Sequence, residues 1–362
     1  MRFQFYKNES RIMDFLEFPS VIFADDQSEI EEYKDIVTKE YEELLKNSET
    51  LVKPYEEDIR LFYSKNAMEE YDFFSLLSKS YEVFGFTSEE NYLNHLLSVD
   101  ENDLRKKLIE SIKSKDDDTS KKDNNTNPKE ETLFSKEYIT ELVNALPIEP
   151  GDKWNLFLII DSPKKYTIKY VELLYKILPD FRKLYLPYEE KIVEYGTHLE
   201  NMLMEQGEKV LDTITCSMID ETMLPEGPIA LFISLFGSFS LKIAAYPSNP
   251  FMQWGLEIEK SFQRLKEKRE NKLNERILVF KNLGDKTRYE VLRLIANGET
   301  SIKNIANTLH VSSATISYHV NALITTNILK FDRNKNNKVG YKVSWDLIQE
   351  VFEGLREDLK QE

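Results

Sequence analysis

Between Ser312 and Asn321 the chain sets small and hydroxyl-bearing side chains around an apolar stripe. Ile316, Val320 and Leu323 recur at offsets of four and seven, so on a helix they point inward together. Ala314, Tyr318 and Asn321 then point almost directly away, with Ser317 and Thr315 flanking them and Ser312 and Ser313 in the first turn. Such a face is narrow enough to sink into the major groove of DNA. Tyr318 and Asn321 can hydrogen-bond base edges or phosphates there, and the Ala314 methyl can meet a thymine methyl. Downstream, Arg333, Lys335 and Lys338 supply cations suited to phosphate contact. The bland alternative is that these are ordinary exposed positions of a three-helix scaffold.

The elements that must hold this face are legible on both sides of it. Asp285 can cap a first helix with Tyr289, Val291, Leu292 and Ile295 on its apolar face, and Asn297-Gly298 ends it. Ser301 opens a second helix, in which Ile302, Ile305, Ala306 and Leu309 fall at offsets of three, four and seven. The short turn His310-Val311 leads to Ser312, the cap of the third. Two β-patterned runs follow, 328–333 and 339–344, joined by a polar loop. Three helices and a hairpin in this order predict a winged helix-turn-helix.

The stretch resembles the winged-helix domain of ArsR-type bacterial transcriptional repressors. That family's LGDPTR is matched by Leu283-Gly284-Asp285-Lys286-Thr287-Arg288. Its S-x-S-T-V-S-H-H-L recognition helix is matched by the run Ser312-Ser313-Ala314-Thr315-Ile316-Ser317-Tyr318-His319-Val320. The resemblance covers about the last quarter of the chain and implies a dimeric repressor on an inverted-repeat operator. It departs where metal sensors carry their ligands. The second helix has no cysteine, and 346–360 offers carboxylates but no histidine, a poor set for a thiophilic metal or zinc. No metal or other cofactor is expected.

Charge supports the same division. The chain has 362 residues and a net charge of −16, which taken whole argues against a nucleic-acid partner. Residues 274–345, however, hold 11 Lys/Arg against 5 Asp/Glu, whereas residues 1–273 hold 35 against 53. A basic module on an acidic body is the footprint of a DNA binder with a regulatory domain, and only the module should touch DNA. Cys216 is the single cysteine, so no disulfide framework exists and a cytoplasmic location is expected. No signal peptide is visible. The apolar run 229–241 has too few residues to span a bilayer, and Gly237-Ser238 reads as the turn of a buried hairpin.

Residues 1–255 read as a large, mainly helical domain with a small β element. An edge-strand pattern at 2–6 precedes helical patterns at 29–46, 56–63, 67–84, 88–97 and 103–112. Residues 113–131 contain no large apolar residue and read as a disordered insertion, with a two-subdomain layout as the alternative. Pro163 starts a helix to about Leu178, Pro187 another through Gln206, and a third spans 208–218; 251–256 is a strand candidate. Paired carboxylates such as Glu42-Glu43 diverge by 100° on a helix and read as solvated faces rather than acid–base pairs. There is no Gly-rich phosphate loop, no G-x-S-x-G and no H-E-x-x-H, and the four histidines are scattered, so no enzymatic activity is expected.

Ile258, Phe262, Leu265, Leu273, Ile277 and Phe280 form one helical stripe leading into 256–362, the winged-helix domain with its flanking helices. This connector either transmits movement and pairs with its copy in a homodimer, or simply packs on its own chain. Rich in Phe and Tyr, the large domain could take an apolar small molecule or a peptide as a non-metal effector. The alternative is a scaffold that only dimerises or docks other proteins, its rings being ordinary core. No membrane partner is expected.

Overall fold

The computed structural model describes residues 2–23, 37–64, 71–116, 135–216, 219, 223–244, 249–270, 272–333 and 339–359. Their apolar side chains gather into two hydrophobic cores, one running from Phe3 to Phe262 and the other from Val279 to Val351. The first core therefore takes in Ile258 and Phe262, at the start of the connector.

A four-stranded sheet lies in the first core, with β1 (Phe3–Phe5), β2 (Ile229–Ser234), β3 (Leu241–Ala244) and β4 (Phe251–Gly255) in the order β1-β2-β4-β3. The edge strand expected at 2–6 is present as β1, parallel to β2. The hairpin expected within 229–241 is not. β2 pairs in parallel with β4, Ala230 opposite Phe251 and Ser234 opposite Gly255, while β3 is the antiparallel partner of β4. An unbroken apolar run is what a central strand covered on both faces requires, and every residue of β2 is buried. The turn after β2 instead carries the chain over the end of β4. Gly255 N–H donates to Ser240 O and Glu257 N–H to Ser238 O, and a Cβ on Gly255 would lie 2.3 Å from Ser238 O. Only glycine fits that approach.

Helices make up the rest of this domain: α1 (Lys7–Glu17), α2 (Lys39–Val52), α3 (Glu56–Phe62), α4 (Phe73–Ser80), α5 (Glu89–Ser98) and α6 (Glu101–Asp116). They continue as α7 (Lys136–Asn144), α8 (Pro150–Asp161), α9 (Pro163–Tyr185), α10 (Glu189–Gln206) and α11 (Lys209–Ile214). Side-chain caps start several of them: Thr38 for α2, Asp72 for α4, Ser88 for α5 and Ser135 for α7. The helix expected at 29–46 falls partly on residues 24–36, outside the described set. Of the expected disordered insertion, residues 113–116 are helical and complete α6, and the remainder lies outside the described residues. α9 does not stop near Leu178 but continues through Pro179 to Tyr185. The carbonyl left without a donor there is that of Tyr175, an exposed residue, where water can replace the lost bond.

The aromatic rings of this domain pack mainly on one another. Phe18 meets Phe181 and Phe236, and Phe62 and Phe73 both meet Tyr170. Two clefts among its described residues, one beside Tyr63 and Asp72 and one beside Tyr41 and Glu257, have room for no more than a water or two as they stand.

The connector comprises α12 (Ile258–Glu270) and α13 (Lys272–Leu283), with residue 271 between them outside the described set. Its apolar stripe serves three surroundings. Ile258 and Phe262 are buried in the first core, Leu273 and Ile277 are exposed, and Phe280 packs against the second core. That second core is built by α13, α14 (Lys286–Ala296), α15 (Ile302–Leu309), α16 (Ser313–Thr325), β5 (Leu329–Arg333), β6 (Val339–Val343) and α17 (Trp345–Leu359). The architecture is mainly α with a small β element and a C-terminal helix-turn-helix domain.

Candidate nucleic-acid interface

Three side-chain caps set the helices of the module. Asp285 Oδ1 accepts from Arg288 N–H at 2.8 Å, Ser301 Oγ from Asn304 N–H at 3.3 Å, and Ser312 Oγ from Thr315 N–H at 3.0 Å. Gly298, at φ +92°, closes α14, where Glu299 N–H reaches back to Leu294 O. The turn between α15 and α16 depends on His310, which adopts the left-handed conformation at φ +56°, so that Val311 N–H reaches Ala306 O at 3.1 Å.

Ile316, Val320 and Leu323 of α16 are buried against Val291, Ile295 and Ile305, as their spacing requires. Ala322 is buried as well. On α14 the assignment changes. Tyr289 is 56% exposed and is not part of the inner face, which is formed by Arg288, Val291, Leu292 and Ile295. At 100° per residue, Tyr289 lies about 160° from Val291 and about 120° from Ile295, too far round to reach the core.

The residues singled out for DNA contact fall on two elements. Ser312 is exposed at the start of α16, and Tyr318 is 41% exposed on its outer side. Ser313, Ala314, Thr315, Ser317 and Asn321 are half-buried. Ser312 and Thr315 already share a hydroxyl–hydroxyl bond at 2.9 Å, so part of their hydrogen-bonding capacity is used within the helix start. Arg333 ends β5, whose antiparallel pairing with β6 runs from Leu329 opposite Val343 to Arg333 opposite Val339. Lys335 and Lys338 lie outside the described residues.

Two further residues belong to the site. Arg288 is 9% exposed, and its guanidinium lies 5.5 Å from the Tyr318 ring centroid. Its Nη2 donates to the Tyr318 hydroxyl at 3.2 Å, and its Nη1 donates to Asn282 Oδ1 at 2.5 Å. Asn282, fully buried on α13, donates from Nδ2 to Leu278 O at 2.9 Å. The signal in the sequence is a charged residue at an inward position of an apolar stripe, 288 preceding 292 and 295 by four and seven. Next to Tyr318, His319 is held below its ordinary pKa of 6.5 by burial and by Arg288, with Asp285 opposing them. Arg288 Nε and His319 Nδ1 are buried without a hydrogen-bond partner among the described residues.

A helix-turn-helix domain family model matches residues 283–330, from the end of α13 into β5. Curated proteins and solved structures give no match. The chain thus carries a C-terminal helix-turn-helix domain, the class of module that lays its second helix in the major groove of DNA. Among the described residues no helix is long and apolar enough to cross a membrane, and no group of three or more His, Cys, Asp and Glu is placed to hold a metal ion.

Proposed function

We propose that this protein is a dimeric DNA-binding transcriptional repressor, acting in the cytoplasm without an enzymatic activity of its own. The observation that carries the reading is α16, seated on its core by Ile316, Val320 and Leu323, with Tyr318 turned to solvent beside small and hydroxyl side chains. Large apolar side chains support the dimer. Trp345, Phe352 and Leu359 repeat every seven residues along α17 and are about half exposed or more, as are Leu273 and Ile277 on α13. Phe280 joins the two stripes through an edge-on contact with Phe352 at 5.6 Å. A two-fold pairing of this surface would space two copies of α16 for the half-sites of an inverted repeat.

The large domain, residues 1–255, is proposed to sense a non-metal effector, an apolar small molecule or a peptide, and to pass its state along the connector. A second reading, in which this domain is only a dimerisation or docking scaffold, is favoured by the mutual packing of its rings and by its shallow clefts. Removing residues 1–271 leaves the second core whole and separates the two readings. Loss of effector response with DNA affinity intact supports the sensor, and a fall in affinity itself supports the scaffold.

Fluorescence anisotropy tests the DNA reading directly. The full chain should bind a duplex selected from a randomised pool saturably, and affinity should fall steeply with salt. Tyr318→Ala should weaken binding by about tenfold, the effect of one good base or phosphate contact. Absence of binding on any duplex at low salt would remove the reading.

A further inference from the structure

The exposed phenol of Tyr318 is joined by two hydrogen bonds to the connector. From the outside inward, the chain of contacts is Tyr318 on α16, Arg288 on α14 and Asn282 on α13. Three helices that share the second core are thereby also linked by polar contacts that have direction as well as distance. Asn282 has no freedom to reverse its amide. Its Nδ2 is committed to Leu278 O in its own helix, so its oxygen faces Arg288. The planar guanidinium then serves Asn282 with one nitrogen and Tyr318 with the other, and a displacement of α13 relative to α14 cannot keep both bonds.

The direction of the last bond fixes how Tyr318 can meet DNA. A phenol carries one proton and accepts through its oxygen. Because that oxygen accepts from Arg288, its own proton remains to be donated outward. The fitting partner is an acceptor: a phosphate oxygen, purine N7, guanine O6 or thymine O4. The amino groups of adenine and cytosine only donate and cannot take that proton.

We propose that Asn282 and Arg288 are positioning residues for Tyr318, so that the connector helix sets both the place and the donor sense of the phenol that meets DNA. This rests on the DNA-binding reading above. Asn282 is fully buried and cannot itself touch DNA, so any effect of its loss on affinity must travel through other groups. The unpartnered Nε of Arg288 beneath the same helix gives the guanidinium a spare donor, available when the relay rearranges.

The test is a double-mutant cycle on the full chain, read as affinity for the duplex that the wild type selects. Tyr318→Phe should weaken binding about fivefold, the effect of one hydrogen bond, and Asn282→Ala should weaken it about threefold. The double variant should bind no worse than Tyr318→Phe alone, because the phenol is the only outlet of the relay. Asn282→Asp, which keeps an acceptor for Arg288 but loses the donor to Leu278 O, should fall between the wild type and Asn282→Ala. Arg288→Lys provides the same cycle if Asn282→Ala does not fold, since an ammonium keeps the charge but loses the planar fork. Single-variant effects that multiply in the double would overturn the relay, as would a folded Asn282→Ala of wild-type affinity. A wild type that binds no duplex would instead remove the DNA reading, and the relay with it. Loss of binding confined to duplexes altered at one base pair would place the acceptor on a base, and uniform loss would place it on a phosphate.

Discussion

In the large domain α1 carries the buried Asp14 and, three residues on, the half-buried Glu17; in the helix-turn-helix module Arg288 is buried and His319 is half-buried. Asp14 accepts from Ser234 Oγ at 2.6 Å and from Leu235 N–H at 2.7 Å, clamping the turn after β2. Burial nevertheless dominates and pushes its pKa up to about 8, with Glu17 nearby adding to the rise. Glu17 is also raised by burial, against the pull of Lys242 and a bond from Gln253. In the module burial acts on a base, so His319 is moved down. The same desolvation thus gives the first core a proton and takes one from the second. The two units should respond to pH in opposite senses.

The largest expected effect is on the large domain. A folded pKa raised above the ordinary 3.8 means that the native state holds the proton more tightly than the unfolded chain. The stability it contributes is full below about pH 4, declines as pH rises toward about 8 and is gone above that. The range amounts to on the order of 5 kcal/mol. Native-state hydrogen exchange of amides in α1 and β2 should therefore slow from alkaline to mildly acidic pH after correction for intrinsic rates. Asp14→Asn should flatten this slope whatever it does to stability at a single pH. An unchanged slope in the variant would assign the proton to another group.

Separate cores should also fail separately. Phe18→Ala removes a fully buried ring from contact with Phe181 and Phe236 and should destabilise the large domain by about 3–5 kcal/mol. Ile316→Ala should cost the module about 2–5 kcal/mol. Hydrogen exchange should show each loss in its own unit. Equal acceleration in both by either variant would mean that the two cores unfold as one.

The two regions also differ in how much of them could be read beforehand. The module's signals are local: caps at Asp285, Ser301 and Ser312 and a 3.6-residue stripe through Ile316, Val320 and Leu323 lie within a few residues of what they organise. Even there, periodicity placed Tyr289 on the wrong side, because the inward position it competed for is filled by a charged residue, Arg288, that periodicity discounts. The relay through Asn282 depends on three helices meeting and has no signature along the chain. In the large domain the decisive fact is a strand order. The run 229–234 suits a hairpin arm or a central parallel strand equally well, and only its pairing with Phe251–Gly255 distinguishes them. The close approach that Gly255 permits is equally non-local.

The smallest expected effect is the counterpart in the module. His319 has a folded pKa lowered from 6.5, so it contributes stability that is present above that value and is lost as pH falls through the folded value. His319 is half-buried, and Asp285 opposes Arg288, so screening keeps the effect well below that of Asp14. Amides of α16 should exchange faster as pH drops below neutrality, while those of α1 slow. His319→Gln, neutral throughout, should abolish the first trend and leave the second untouched. The proton that enters at His319 also arrives beside Arg288, against the guanidinium that holds Tyr318. Mild acid should therefore loosen α16 before it loosens anything in the large domain, and a variant without that histidine should lose this order of events. If α16 exchange in His319→Gln keeps the wild-type pH trend, the module's response must come from its other charges, and the contrast between the two cores would rest on Asp14 alone.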